Sequence, residues 1–152
     1  FEENALIKAR AVSRALGGNA LADGSGICVE ALGGAPGVHS ARFCGRHGDD
    51  AANNALLLEK LKDVPQDRRR AYFESCVALC FADGREITAS GRTYGRILEK
   101  AEGEGGFRYD PLFYCDELGM SFGLASAEEK NAVSHRGKAL AALAEKLKGM
   151  KL

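Results

Sequence analysis

The sequence predicts an α/β fold, and three observations predict it. Apolar residues recur at helical spacing near both ends of the chain and once in its first half. Residues 69–82 alternate in character and run into Asp83-Gly84, the mark of a strand that turns into a hairpin. The length, 152 residues, suits one domain with its own core, so residues 1–152 read as a single domain.

Residues 2–16, EENALIKARAVSRAL, read as an amphipathic helix with Ala5, Ile7, Ala9, Val12 and Leu16 as its apolar content, stopped by Gly17-Gly18. A strand and hairpin region follows, to about residue 33. Within it, Ala20-Leu21-Ala22 and Ile27-Cys28-Val29 flank Asp23-Gly24-Ser25-Gly26, which reads as a tight polar turn. Such a turn is either an ordinary connection or a place where a side chain and free N–H groups face a ligand. The run from Gly33 to Gly37 is a further turn signal. Residues 51–62 read as a second helix with Leu57, Leu58 and Leu61 facing inward and Pro65 just beyond.

In the 69–82 stretch, Phe73, Val77, Leu79 and Phe81 share one parity, while Tyr72, Glu74, Cys76, Ala78 and Cys80 share the other. That pattern is a strand with one greasy face, and Glu86 to Gly95 is expected to return beside it. A glycine-rich loop, Gly103 to Pro111, precedes a short strand at Leu112-Phe113-Tyr114. Ser126-Ala127-Glu128-Glu129 is a capping box that opens a helix. That helix runs to about Lys148 with a break near Ser134, and Val133, Leu140, Leu143 and Leu147 are its expected buried stripe.

Composition excludes several classes. Twenty-one basic residues balance 21 acidic ones, which argues against a surface that coats nucleic acid. No apolar run reaches the roughly 18 residues of a membrane span, and no secretory signal opens the chain. The five cysteines, at 28, 44, 76, 80 and 115, form no CxxC pair, so they read as reduced thiols of a cytoplasmic protein and not as zinc ligands. The first residue is Phe1 and not Met, so the natural N-terminus is expected to lie upstream.

Two clusters carry candidate chemistry. Lys130, His135 and Arg136 place three donors within seven residues. Phosphates and 6-oxo purines both accept hydrogen bonds, so these donors beside an aromatic shelf of Phe107 and Tyr109 suit a nucleotide. Asp110 is placed to accept from a purine ring N–H. The same charges also read as an ordinary solvated helix face. Asp23 is the one carboxylate in the Asp23–Gly26 stretch, and one carboxylate is too few for a metal site of its own.

Five blocks in register, FEENALIKAR, LADGSG, ALGGAPGVHSAR, GGFRYDP and EEKNAVSHRG, closely resemble the inosine triphosphate pyrophosphatase family. The resemblance covers nearly the whole chain. It implies hydrolysis of ITP, XTP and their deoxy forms to monophosphate and pyrophosphate with magnesium. It also implies homodimers and an elongated mixed sheet with flanking helices and two lobes around a cleft. Residue by residue, it implies that Ser25 contacts the nucleotide, that Phe107, Tyr109 and Asp110 stack on and read the base, and that Lys130, His135 and Arg136 bind substrate. A site of donors aimed at a 6-oxo group would leave those donors unpaired against the 6-amino group of adenine.

Three departures accompany the resemblance. The family turn reads Ala-Asp-Asp-Ser-Gly; here Gly24 stands where the family has its proton-accepting and metal-binding aspartate, and Asp23 remains. The family's first strand and phosphate loop would precede Phe1. Arg108 occupies a position where the family carries glycine. The expectation is a chain whose hydrolysis is impaired, with a purine-nucleotide-binding protein that does not cleave as the alternative and a purely structural partner as the third reading.

Overall fold

The computed structural model describes residues 1–103 and 109–150. The elements are α1 (Glu2–Leu16), β1 (Ala20–Val29), α2 (Asp50–Leu61), β2 (Arg70–Cys80), β3 (Glu86–Ile97), β4 (Phe113–Cys115), β5 (Met120–Ser121), α3 (Ala127–Val133) and α4 (His135–Lys148), with short 3-10 turns between several of them. The five strands form one sheet in chain order, β1-β2-β3-β4-β5.

Its pairings are antiparallel. Arg96 faces Tyr114, and Tyr114 faces Ser121. Ala82 N–H bonds the Asn19 side chain while Ser25 meets Ser75, so the chain recedes along β2 as it advances along β1. The α/β fold with flanking helices is thus as expected, and among the described residues its sheet is open and antiparallel.

The residues fall into two compact units. One comprises Phe1–Ser25, Glu74–Arg92 and Ser134–Leu152; the other comprises Gly26–Phe73 and Thr93–Val133.

In the first unit, α1 ends where expected, at Gly17 in the left-handed region with φ 65°, its N–H bonded to Ser13 O. The buried face of α1 differs from the expected one. Ala5, Ala9 and Ser13, spaced by four, face inward, whereas Ile7, Val12 and Leu16 are exposed. The reason is close approach: Ala5 and Ala9 meet Ala78 and Cys80 of β2, small side chains against small ones.

Helix α4 repeats the pattern. Ala139 and Leu143 pack on Val77 and Ala89, and Leu140, expected in the stripe, is 41% exposed. Ala78 and Val77 point to opposite faces of β2. Both faces are therefore covered there, which is why Ser75, Cys76, Val77 and Ala78 are all buried and the single greasy face read from the alternation is too few.

The expected turn at Asp23–Gly26 is also corrected: β1 runs unbroken from Ala20 to Val29. Gly24 is buried in it because a Cβ there would stand 2.6 Å from Phe1 O at the start of α1. The glycine serves a close approach and not a reversal.

The second unit has one large core. Ile27, Val29, Leu57, Leu61, Phe73 and Ile97 join Phe113 and Phe122 in it, with Leu58 and Val133 at its edge. Phe73 meets Phe113 edge-on at 4.7 Å between ring centroids. Asp49 caps α2 by accepting from Ala52 N–H, and the helix begins at Asp50, one residue before the expected start.

Arg69, 3% exposed, gives its guanidinium to the carbonyls of Leu61 (2.6 Å), Val64 (2.9 Å) and Leu98 (3.1 Å), so a buried cation is met by peptide dipoles at the C-terminal end of α2. The capping box is formed as read: Ser126 Oγ accepts from Glu129 N–H, and Glu129 accepts from Ser126 N–H. The break near Ser134 is also present. Ser134 caps α4 by accepting from Gly137 N–H at 2.9 Å. No helix among the described residues is long and apolar enough to cross a membrane.

Candidate functional site

The first unit brings Asp23, Ser25 and Arg136 together. Asp23 and Ser25 are two residues apart on a strand, so their side chains leave the same face of β1. Ser25 Oγ lies 3.0 Å from Asp23 Oδ2. Arg136, in the first turn of α4 and 113 positions away in sequence, donates Nη2–H to the same oxygen at 2.9 Å.

The placement of Arg136 has a local cause. α4 starts at the Ser134 cap and lies directly on β3 at Gly91, where a Cβ would stand 2.5 Å from Ala139 N and 2.6 Å from His135 O. Only a glycine admits a helix backbone that close. His135 is half-buried in the same first turn.

Electrostatics follow from the geometry. Partial burial pushes the Asp23 carboxyl up; the Ser25 hydroxyl, the Arg136 guanidinium and the Lys8 ammonium outweigh it and hold the group below its ordinary value. The Arg136 side chain is 61% exposed, so its remaining N–H groups face water and can meet an anion.

Lys8 and Ser75 complete this group, and sequence reasoning missed both. Ser75 carried a signal: a hydroxyl in the Phe73–Val77 row, where the pattern calls for an apolar side chain.

The second unit brings Tyr109, Asp110 and Lys130 together. Asp110 is 6% exposed, and its Oδ2 accepts from the Lys130 ammonium. That ammonium stands 6.0 Å from the Phe122 ring centroid. Tyr109, expected as part of an open aromatic shelf, is 1% exposed and donates its hydroxyl to Ser40 O at 2.6 Å. Its ring belongs to the core, where it anchors the chain just before Asp110. Ser40 in turn accepts from Ile27 N–H and donates to Gly37 O. Phe107 and Arg108 lie outside the described residues.

Magnesium takes hard oxygen ligands in near-octahedral array. Among the described residues no group of three or more His, Cys, Asp or Glu stands close enough to hold an ion. Asp23 is engaged by Arg136, and position 24 offers only glycine. These side chains do not make a resident magnesium site by themselves.

The model of the family described as the Ham1 family matches residues 1–146. The chain is 50% identical to a dITP/XTP pyrophosphatase of Geobacter sulfurreducens over 147 residues, covering 97% of this chain and 74% of the relative. A crystal structure of a nucleoside-triphosphatase / dITP/XTP pyrophosphatase from Mycobacterium abscessus superposes with a TM-score of 0.84 at 51% identity, over 94% of this chain and 75% of that one. The Ham1 protein of Staphylococcus aureus superposes with a TM-score of 0.92 at 39% identity, over 99% of this chain and 78% of that one.

Proposed function

This chain belongs to the Ham1 family, and from that premise we propose that it binds nonstandard purine nucleoside triphosphates and hydrolyses them to monophosphate and pyrophosphate. The substrates are those of the dITP, ITP and XTP kind, in keeping with the pyrophosphatase relatives. One observation carries the reading. Arg136 of the Ser134-His135-Arg136 motif meets Asp23 beside Ser25, so two motifs far apart in sequence make one polar site.

In this reading Ser25 contacts the triphosphate, Lys130 contacts the substrate, His135 and Arg136 donate to the purine, and Asp110 accepts from the purine ring N–H. Phe107, assigned to base stacking by the family resemblance, and Arg108, which follows it in sequence, lie outside the described residues. Adenine fails because its 6-amino group turns a donor toward donors, leaving both unpaired. Magnesium carried on the triphosphate would neutralise its charge, and Asp23 is the carboxylate of the Asp23, Ser25 and Arg136 group. The protein works as a cytoplasmic homodimer, each copy a single functional domain, without nucleic acid or membrane partners.

Hydrolysis is slow in this chain because Gly24 brings no carboxylate to deprotonate water. Loss of a general base costs about 10²- to 10⁴-fold. A second reading, nucleotide binding without cleavage, is favoured by the same glycine.

The test is calorimetric titration with ITP, XTP and ATP, together with magnesium-dependent pyrophosphate release by the chain and by Gly24→Asp. Expected are ITP and XTP binding well above ATP, weak turnover, and a gain of at least about tenfold in Gly24→Asp. The new side chain must displace Phe1 O, which a Cβ would approach to 2.6 Å. Equal binding of ATP and ITP would end the reading. ITP binding with no turnover in either protein would favour the second.

A further inference from the structure

Ser75 carries a buried hydroxyl beside Ser25. It lies in β2 with 0% of its surface exposed, in the row that otherwise carries Ala71, Phe73 and Val77. A hydroxyl in such a row needs a partner. Its Oγ is 3.2 Å from Ser25 Oγ, which is itself 3.0 Å from Asp23 Oδ2.

Counting protons fixes the direction of this chain of bonds. An ionised carboxylate only accepts, and a serine hydroxyl has a single proton to give. The Ser25 proton therefore goes to Asp23, and Ser75 donates to the Ser25 oxygen. Arg136 donates to the same Asp23 oxygen from the other side.

A phosphate, like a carboxylate, only accepts. Ser25 cannot donate to Asp23 and to a phosphate at once, so nucleotide uptake exchanges one bond for the other. We propose that Ser75 is a positioning residue of the nucleotide site: it pins the Ser25 oxygen, so that the one Ser25 proton swings from Asp23 to an incoming phosphate oxygen while the side chain stays in place. The inference rests on the reading of Ser25 as a residue that faces the phosphates in that site.

Without Ser75, Ser25 samples its three staggered rotamers, and fixing one of them on binding weakens affinity by about threefold. Loss of the polarising donor adds to this, for an expected total of about three- to tenfold.

The experiment is a double-mutant cycle on ITP affinity, measured by calorimetry on the parent, Ser75→Ala, Ser25→Ala and the double variant, each first shown to be folded by thermal melting. Ser25→Ala is expected to weaken binding by about tenfold or more, Ser75→Ala by about three- to tenfold. The double variant should match Ser25→Ala within about twofold, because Ser75 acts only through Ser25. Ser75→Cys, of similar size with a weaker donor, should fall between parent and Ser75→Ala; it replaces Ser75→Ala in the cycle if that variant fails to fold.

A Ser75→Ala loss that persists undiminished in the Ser25→Ala background, or no loss at all, overturns the proposal and leaves the site reading standing. Full affinity in Ser25→Ala with weakened Arg136→Ala overturns the proposal and takes Ser25 out of the nucleotide site, while Arg136 keeps its place there. A parent chain that takes up no ITP overturns the site reading itself, and the proposal with it.

Discussion

Gly91→Ala tests whether α4 owes its position to one missing methyl group. A Cβ at Gly91 would stand 2.5 Å from Ala139 N, 2.6 Å from His135 O and 2.6 Å from Lys138 Cβ. Ordinary contact between such atoms is about 3.5 Å, so the start of α4 must retreat by about 1 Å. Two consequences follow. The Ala139 and Leu143 contacts with Val77 and Ala89 loosen, an overpacking penalty of about 1–3 kcal/mol. For a chain of this length each kcal/mol lowers Tm by about 2–4 °C, which gives a fall of about 2–12 °C. The Arg136–Asp23 bond, 2.9 Å in the parent, is also stretched past hydrogen-bonding range, so ITP affinity falls along with stability. Differential scanning fluorimetry and ITP titration read the two effects. A Gly91→Ala protein that melts within about 1 °C of the parent and binds ITP equally well refutes the argument.

Two further predictions concern buried and half-buried charge. Arg69→Met strands the carbonyls of Leu61, Val64 and Leu98, each at about 1–3 kcal/mol, and is expected to lower urea stability by at least about 3 kcal/mol, with Arg69→Lys in between; an unchanged midpoint would contradict it. Because the folded Asp23 carboxyl lies below its unfolded value of about 3.9, its contribution is complete above that pH and disappears as pH falls through the lower folded value. The stability gap between parent and Asp23→Asn should therefore be flat above about pH 5 and close below about pH 4, as followed by melting across that range.

The local signals in the sequence were strong where a backbone group demanded a specific side chain. Gly17 ends α1, Asp83-Gly84 joins β2 to β3, and Ser126 and Ser134 cap their helices because each answers a geometric or hydrogen-bonding need that composition cannot disguise. Burial was harder to read. Ile7, Val12 and Leu16 are among the greasiest residues of α1 and are exposed, yet Ala5, Ala9 and Ser13 are buried, with Leu6 packed at the edge, because the helix comes closest to β2 where its side chains are small. Hydrophobicity ranks residues by transfer free energy; it does not measure the room available.

Asp23-Gly24-Ser25-Gly26 misled for a related reason. Glycine marks either a reversal or a close neighbour, and the neighbour here is the carbonyl of Phe1. At the site, the blocks that resemble the family pointed to Asp23, Ser25 and Arg136, which meet, and to Asp110 and Lys130, which pair. Tyr109 was read as a face for a base because aromatic residues serve both purposes; its hydroxyl bond to Ser40 and its burial put it in the core.

The seat of α1 has a consequence for how that helix keeps its register. Alanine has no rotamers to freeze, so Ala5 and Ala9 settle on Ala78 and Cys80 with almost no loss of side-chain entropy. The same shortness leaves few ridges to interlock, and a smooth contact resists sliding poorly. What stops the helix from creeping along its axis is a set of contacts at its N-terminal end and middle: Arg10 clasping Glu86, Glu2 receiving the Thr88 hydroxyl, and the Phe1 carbonyl close over Gly24. The hydrophobic contact keeps α1 down, and the tethers decide where along the sheet it stops.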